Sequence, residues 1–570
     1  MANPSEHVTY FAETDFRNKK VKFGIKPSDR TRHMYVIGKT GMGKSTLLEN
    51  MAIQDIQNGE GIAFIDPHGK TAELLLEYVP ADRIKDVIYF APFDTEYPVS
   101  FNVMEDVGKD QRYLVSNGLM ASFKKIWPDV WSARMEYILN NIILALLEYP
   151  NTTLLGVNRM LADKDYRNLV VSNISDPAVK AFWTDEFAKY TDKFMTEAGA
   201  AIQNKIGQFT SNPLIRNIIG QAHSTIDIRK IMDEKKILIM NLSKGRIGEI
   251  NANLIGGMLI TKIYLAAMSR ANLRENDLKL LPNFYFYVDE FQSFVNDTFK
   301  DILSEARKYK LNLTIAHQYI EQMPEEVRDA VFGNVGTTIA FRVGPFDAEV
   351  LEKIFMPQFV AQDIVNLGFA QIYLTLMIDG VGSPPFSATT LGPIPPPTKS
   401  YRDEIMAHTR GTYARPVAVV EAEIKTWHEP IKIAPKERAL VPPVQPRTLV
   451  VSSPPISPRP SLPPRLPIVR QNFKTPDLPK RVVPVPQVKQ PQVVTERTPS
   501  NDLKLKDTGA NKNSLRDALK DLMSKVPEKK ADMQTGTPSP QKASPKIEES
   551  RKPAPKELPE EELRRLLEVK

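Results

Sequence analysis

Eight residues close to the N-terminus have the types and spacing needed to hold the phosphates of a nucleotide. Residues 38–45 read Gly-Lys-Thr-Gly-Met-Gly-Lys-Ser and lie between an apolar run, Met34–Ile37, and a helix-forming stretch. Glycines let the loop curl so that N–H groups point at phosphate oxygens, and the helix adds its positive end. Lys44 would reach the β- and γ-phosphates, and Ser45 would bind Mg²⁺. The predicted nucleotide-binding residues are Gly38, Lys39, Thr40, Gly41, Met42, Gly43, Lys44, Ser45 and Thr46.

A second group of residues supplies the acidic side chains that nucleotide hydrolysis requires. The apolar segment Phe284–Val288 ends in Asp289 and Glu290, as a Walker B strand does. Asp289 is predicted to hold Mg²⁺, directly or through water, and Glu290 to polarise the attacking water as a general base. An ordinary strand that ends in acidic turn residues is the alternative, but the phosphate loop upstream favours the catalytic interpretation. The adjacent glutamate favours hydrolysis over a slow nucleotide switch.

Three further polar residues are candidates for contacts with the transferred phosphoryl group. Gln318 follows the apolar run Leu311–Ala316 after one intervening residue, and its amide can donate to phosphate while accepting from water. Arg342 and Arg307 are candidates for an arginine supplied by a neighbouring subunit to stabilise the transition state. Arg342 is preferred because it follows an apolar strand, where a surface charge is unexpected; a structural ion pair is the alternative.

The composition excludes several other kinds of site. The chain has no cysteine, which rules out disulfides and thiolate zinc sites and suits a reducing compartment. Its seven histidines show no metal-ligand spacing, so Mg²⁺ held by oxygen is the expected metal. The N-terminal residues lack the apolar core of a signal peptide, and the apolar stretch Tyr137–Leu147 is too short to span a membrane. We expect a cytoplasmic protein, which a partner would have to recruit to the inner face of the cell membrane.

Eight near-continuous apolar runs separated mostly by helical patterns predict the fold class. Runs of this kind are typical of strands that helices cover on both faces. We expect an α/β fold with a mainly parallel sheet, helices on both faces, an inserted all-α domain and a lead-in β-hairpin within residues 1–30. The runs are His33–Ile37, Gly61–Ile65, Val87–Ala91, Lys236–Asn241, Phe284–Val288, Leu311–Ala316, Thr337–Val343 and Ala370–Ile378.

Composition and patterning divide the chain into four predicted regions. Residues 1–104 form the N-terminal part of the nucleotide-binding core, and residues 231–400 form its C-terminal part. Between them, residues 105–230 are helical in pattern almost throughout and are predicted to be an inserted all-α domain. Residues 401–570 contain 26 of the 46 prolines and carry a net charge of +11, whereas the whole chain carries +7. We therefore expect a basic, disordered, Pro-rich tail after residue 400.

The predicted tail contains two short amphipathic segments, Ser514–Val526 and Leu558–Val569. Both are near or below the length at which an isolated helix is stable, so they would fold on a partner or stay disordered. The positive charge of the tail suits nucleic acid or an acidic membrane surface, but a solvated linker has the same composition.

The order of these motifs resembles that of the HerA/FtsK superfamily of ring-forming ATPases. Within it, the chain is most similar to the coupling ATPases of conjugative type IV secretion (TraG/TraD-like) and to HerA-type DNA translocases. The resemblance covers roughly residues 15–395, and its most specific parts are the Asp-Pro-His-Gly element and the order of all the motifs. The matching segments are Gly38–Ser45, Ile65–Lys70, Asn241–Gly245, Val288–Phe294, Ser304–Tyr309, His317–Gln318 and Asn334–Thr338.

This resemblance implies a RecA-like core that assembles into a ring, expected to be a hexamer, with ATP and Mg²⁺ bound between subunits. It further implies DNA or nucleoprotein as cargo, a secretion-system or membrane partner, and an all-α domain that faces the mouth of the ring. Lys244 and Arg246 are candidates for contacts with DNA phosphates, although a solvated loop with no ligand would have the same sequence features. Coupling proteins usually begin with two transmembrane helices, and this sequence shows none.

Three other functions remain open on the sequence. One is a motor that moves protein, which ATP hydrolysis independent of DNA would favour. A HerA-like motor would serve DNA-end processing together with a nuclease. A nucleotide-gated adaptor would recruit partners through its Pro-rich tail and would translocate nothing. Stimulation of ATP hydrolysis by DNA separates the adaptor from either DNA motor.

Overall fold

The structure is a computed structural model that describes residues 7–15, 19–105, 108–296 and 298–429. The chain divides into two units, residues 1–444 and 445–570, and all described residues belong to the first. The predicted segments Ser514–Val526 and Leu558–Val569 lie outside the described residues. The strands in the described part are β1 Thr9–Thr14, β2 Lys22–Ile25, β3 Met34–Ile37, β4 Gly61–Asp66, β5 Val87–Phe90, β6 Ile237–Asn241, β7 Phe284–Val288, β8 Leu311–His317, β9 Thr337–Ala340, β10 Gln371–Thr375, β11 Met377–Ile378, β12 Val381–Gly382 and β13 Phe386–Thr390.

The helices of the described residues begin and end as follows: α1 Pro27–Arg30, α2 Lys44–Gln57, α3 Lys70–Glu77, α4 Arg112–Ile126, α5 Ala133–Glu148, α6 Leu155–Ala162, α7 Lys164–Asn173, α8 Pro177–Ala181, α9 Asp192–Thr210, α10 Pro213–Ile219, α11 Ile228–Asp233, α12 Lys244–Ile247, α13 Glu249–Met268, α14 Glu275–Leu280, α15 Thr298–Glu305, α16 Glu325–Asn334, α17 Pro345–Phe355, α18 Ala361–Val365, α19 Arg402–Tyr413 and α20 Val417–His428. Helices α4 to α11 separate β5 from β6, which are neighbours in the sheet. The division at residues 105 and 230 stays a prediction.

One large sheet organises the described residues, with the strand order β2-β1-β13-β10-β9-β3-β8-β7-β4-β6-β5. The seven strands from β9 to β5 run parallel to one another, and β10, β13, β1 and β2 extend the sheet by antiparallel pairing. The mainly parallel α/β fold predicted from the apolar runs is confirmed. Parallel pairing brings the C-terminal ends of β3, β8 and β7 to one edge of the sheet, where their following loops meet.

Helices cover both faces of the sheet, which explains the apolar strands. In β3, Met34 and Val36 pack into the core formed with α2 and α3. Tyr35 and Ile37, which point to the opposite face, pack into the larger core that includes α4, α5 and α13. All four residues are buried because neither face of β3 meets water.

One helix of the described residues, extended to Glu249–Asn272, is long and apolar enough by composition to cross a membrane. Most of it is buried inside the fold, where α13 packs against α4 beneath the sheet. Gly118 allows this close approach, since a Cβ there would lie 2.3 Å from the Cγ2 atom of Thr261. The apolar stretch Tyr137–Leu147, named above as too short to span a membrane, forms most of α5.

The prediction of a disordered tail from residue 401 is wrong for residues 402–428. Helix α19 packs on β5, where Thr409 Oγ1 accepts a hydrogen bond from Tyr89 N at 3.3 Å. Helix α20 buries Val420 and Ile424 against Leu155. Each helix carries buried residues four positions apart, a helical period that the Pro-rich average of the whole segment conceals.

Candidate nucleotide site

The phosphate loop is curled by glycines between β3 and α2. Gly41 and Gly43 have φ angles of +78° and +115°, which residues with a Cβ rarely adopt. A Cβ on Gly38 would lie 2.5 Å from the Cβ atom of Phe341, so this position also admits only glycine. The first turn of α2 receives no side-chain cap at Gly43, and its N–H groups are available to an anion.

Lys44 is held at the centre of this loop. Its ammonium nitrogen donates hydrogen bonds to the carbonyl oxygens of Gly38 at 2.6 Å and Lys39 at 3.2 Å. Burial lowers the pKa of Lys44, while the charges of Glu290 and Asp289 act in the opposite direction. The loop therefore keeps a positive group among backbone carbonyls, within reach of phosphates that would bind to the loop.

The predicted metal ligands lie next to each other. Ser45 Oγ donates to Asp289 Oδ2 at 3.4 Å, across two elements that are far apart in sequence. Asp289 is only 3% exposed. Burial and then the charges of Glu290 and Asp66 raise the pKa of Asp289 from 3.8 to about 6. A carboxylate crowded by other carboxylates in a buried place is one that a divalent cation would stabilise.

Glu290 is fixed by two glutamine side chains. Its backbone adopts a φ angle of +47°, an unfavourable conformation for a residue with a side chain. The amide nitrogens of Gln292 and Gln318 each donate to one of its carboxylate oxygens. Gln318 also accepts a hydrogen bond from Thr40 Oγ1 at 3.0 Å. Gln318 thus connects the phosphate loop to the predicted general base.

Two further residues around Asp289 and Glu290 had no role predicted from the sequence, Asp66 and His68. Asp66, at the end of β4, accepts hydrogen bonds from the backbone nitrogens of His68 at 2.7 Å and Ala72 at 2.9 Å and so shapes the start of α3. The imidazole of His68 lies 3.9 Å from a carboxylate oxygen of Glu290. The Asp-Pro-His-Gly motif indicated that this turn is part of the site. The proximity of His68 to Glu290 could not be predicted, because it depends on the pairing of β4 with β7.

The two candidate arginines occupy opposite edges of the sheet. The carbonyl oxygen of Arg342 accepts a hydrogen bond from Lys39 N at 2.8 Å, so this arginine lies beside the phosphate loop of its own chain. Arg307 is exposed and precedes β8, whereas Gln318 follows β8. A strand of this length separates the two ends by about 20 Å. Neither arginine side chain forms an ion pair with another described residue.

Lys244 and Arg246 are engaged by neighbouring side chains. Lys244 Nζ donates to Glu249 Oε1 at 2.9 Å and to Ser293 Oγ at 3.0 Å. Arg246 pairs with Glu73 at 3.1 Å, and its guanidinium lies 4.3 Å from the centre of the Phe93 ring. These contacts favour a structural role for both residues over the predicted contact with DNA.

The arrangement of donors fits a nucleoside triphosphate with Mg²⁺. The loop offers N–H groups and the Lys44 ammonium to phosphates, and Ser45 and Asp289 offer adjacent oxygen ligands. Among the described residues there is no cluster of three or more acidic or histidine side chains that would hold a metal alone. Phosphate oxygens would therefore complete the coordination of the cation.

Fold and site together define the class of the protein, a P-loop ATPase with a RecA-like core. A family model described as type IV secretory system conjugative DNA transfer matches residues 4–334, and the chain belongs to this family. The resemblance inferred from the order of the motifs is thereby confirmed.

Several solved structures are similar to this chain. The bacterial conjugative coupling protein TrwBdeltaN70 is 13% identical, with 69% of this chain and 91% of that chain covered and a TM-score of 0.49. The plasmid coupling protein TrwB in complex with the non-hydrolysable ATP analogue ADPNP is 13% identical, with coverages of 70% and 98% and a TM-score of 0.49. VirB4 of Thermoanaerobacter pseudethanolicus is 13% identical, with coverages of 69% and 98% and a TM-score of 0.43. A comparison with curated proteins finds no match.

Proposed function

We propose that this protein is a coupling ATPase of type IV secretion that hydrolyses ATP with Mg²⁺ and uses the energy to move DNA or nucleoprotein through a ring of identical subunits. Six is the number of subunits that the resemblance of its motifs implies. The observation that carries the proposal is the meeting of Lys44 and Ser45 with Asp289 and Glu290 at one edge of the sheet. Membership of the conjugative DNA transfer family supports DNA as the cargo. A solved structure of the plasmid coupling protein TrwB, which is similar in fold, is a complex with ADP and Mg²⁺.

Each residue of the site has a chemical role in this proposal. Lys44 leaves the loop carbonyls and neutralises charge on the β- and γ-phosphates, while Ser45 and Asp289 hold the cation. When bound, Mg²⁺ supplies positive charge to the phosphoryl oxygens that become more negative as the bond breaks. Glu290 accepts a proton from the attacking water, since a carboxylate held by two amides still has free lone pairs.

Gln318 connects the arrival of ATP to the general base. It donates to Glu290 and accepts from Thr40, a residue of the phosphate loop. A γ-phosphate beside Thr40 offers Gln318 a charged acceptor in place of the Glu290 carboxylate. Glu290, released from Gln318 but still held by Gln292, would then accept a hydrogen bond from the attacking water only when the triphosphate is present.

The position of the two arginines changes which of them we propose to act in trans. An arginine that serves the neighbouring subunit has to project away from the loop of its own chain. Arg342 lies against its own phosphate loop, whereas Arg307 is exposed at the opposite edge of the sheet. We therefore assign the trans role to Arg307 and a role beside its own loop to Arg342.

The decisive experiment measures ATP hydrolysis by the full chain with and without double- and single-stranded DNA. The proposal expects Mg²⁺-dependent hydrolysis that DNA accelerates, together with ATP-dependent assembly seen by sedimentation. Glu290→Gln serves as the inactive reference and Glu275→Gln, an exposed glutamate on α14, as the matched control. Hydrolysis that DNA does not change would contradict the DNA motor, and a protein that binds ATP without hydrolysing it would favour the adaptor.

A further inference from the structure

A strained turn precedes β10 at the same edge of the sheet as the phosphate loop. Gln371 N donates to the carbonyl oxygen of Gly368 at 3.4 Å, and Gly368 N donates to Gln371 Oε1 at 2.7 Å. Ala370 has a φ angle of +61°, in a position of the turn that favours glycine. A strained residue persists only where its surroundings hold it in place, and such residues concentrate at functional sites.

This turn is attached to the phosphate loop. Ala370 N donates to the carbonyl oxygen of Met42 at 3.2 Å, and the carbonyl oxygen of Ala370 accepts from Thr390 N at 2.9 Å. The N–H and the carbonyl group of Ala370 are therefore both hydrogen-bonded, the N–H to the phosphate loop and the carbonyl to β13. The side chain that this turn presents is Phe369, which is 73% exposed although it stands beside a polar site.

Phe369 lies on the side of the phosphate loop away from the residues that would contact the γ-phosphate. Asp289, Glu290 and Gln318 follow β7 and β8, on one side of β3, and they define where the γ-phosphate lies. A nucleoside triphosphate is an elongated molecule, so its base extends away from that side of the loop. In the sheet order, β9 and β10 lie on the other side of β3, and Phe369 precedes β10.

We propose that Phe369 is the stacking platform for the base of the bound nucleotide, an inference that rests on the proposed function. The ring offers a flat apolar face, and the turn fixes the backbone that carries it before the ligand arrives. Stacking between a base and an aromatic side chain is tolerant of the base, so Phe369 contributes affinity for purine nucleotides in general. The polyphosphate chain is held independently, by the loop and Lys44.

A second phenylalanine provides a matched control. Phe346 is also 73% exposed and lies in the first turn of α17, at the same edge of the sheet, after β9. The strand that leads to it is attached to the loop at Lys39, through Arg342, rather than at Met42. A general effect of removing an exposed ring from this edge would therefore appear in Phe346→Ala as well.

The experiment measures, by calorimetry on the full chain, the affinities for ADP and for inorganic tripolyphosphate, each with Mg²⁺. We expect Phe369→Ala to weaken ADP binding about tenfold, with tripolyphosphate binding and both affinities of Phe346→Ala nearly unchanged. In Phe369→Trp, ADP binding should persist and quench fluorescence beyond the change in the parent protein, whereas tripolyphosphate should not.

Two results would overturn the assignment of Phe369. One is unchanged ADP affinity in Phe369→Ala; the other is an equal loss for ADP and tripolyphosphate, which would indicate a distorted loop. Failure of the nucleotide site itself gives a different result, because the parent protein would then bind neither ligand. Failure of the DNA motor alone would leave both affinities as expected here and would appear as hydrolysis that DNA does not accelerate.

Discussion

Replacing Asp55 by alanine should destabilise the protein strongly, because Asp55 neutralises a buried arginine that links the phosphate-loop helix to the acidic strand. Arg30 donates to the two carboxylate oxygens of Asp55 at 2.7 and 2.9 Å and to the hydroxyl of Tyr287 at 2.7 Å. That hydroxyl donates in turn to Asp55 at 2.5 Å. Asp55 belongs to α2, which begins at Lys44, and Tyr287 belongs to β7, which ends one residue before Asp289.

The size of the effect follows from burial. The side chains of Arg30 and Asp55 are each 2% exposed, and the guanidinium lies 3.7 Å from the centre of the Tyr285 ring. Burial, the largest single cause, would lower the pKa of Arg30, but the charge and hydrogen bonds of Asp55 together with Tyr287 and Tyr285 outweigh it and hold the pKa above its ordinary value. Removing one partner of a buried pair costs about 3–5 kcal/mol. For roughly 420 folded residues, with an unfolding entropy of about 0.9 kcal/mol/K, the midpoint falls by about 3–6 °C.

Thermal unfolding followed by circular dichroism measures this midpoint. The double variant Arg30→Met with Asp55→Leu removes both charges and should recover most of the loss, since apolar replacements of a buried pair are often neutral. Glu275→Ala breaks the exposed pair with Lys279 and should shift the midpoint by less than about 1 °C. The reasoning is refuted if Asp55→Ala unfolds within about 1 °C of the parent, or if the double variant is no more stable than Asp55→Ala.

Three further predictions concern the site itself. Glu290→Gln should bind ATP but lose hydrolysis by about 10²-fold or more, measured as phosphate release beside equilibrium binding, and near-normal turnover would contradict its role as a base. Because burial raises the pKa of Asp289 to about 6, its ionisation costs stability as the pH rises from about 4 to 6. Asp289→Asn with a chelator present should therefore be more stable than the parent by about 3 kcal/mol above about pH 7 and equal to it below about pH 4; a difference independent of pH would show that the carboxylate is not the cause. Arg307→Ala and Lys44→Ala should each be inactive alone but regain hydrolysis when mixed, because each supplies what the other lacks at a shared interface; recovery with Arg342→Ala in place of Arg307→Ala would reverse our assignment of the arginines.

The elements that carry the site were predictable because their signals are local. The glycines, Lys44 and Ser45 lie within eight consecutive residues, and Asp289 and Glu290 directly follow their strand. The parallel sheet was predictable because strands buried on both faces need uninterrupted apolar runs. Strand β13 was missed, since its sequence Phe-Ser-Ala-Thr-Thr has no such run and it is ordered by pairing with β1 and β10.

The sequence by itself determined which residues can bind a triphosphate and orient a water molecule, because the residues of each motif are adjacent in the chain. Only the tertiary structure decided how the motifs are connected. Gln318 is hydrogen-bonded to both Thr40 and Glu290, Arg30 links α2 to β7, and the turn that carries Phe369 is hydrogen-bonded to Met42. These contacts join positions that are far apart along the chain, and they exist because of the order in which the strands pair. No local pattern of residues encodes that order, since it is set by the packing of the whole sheet.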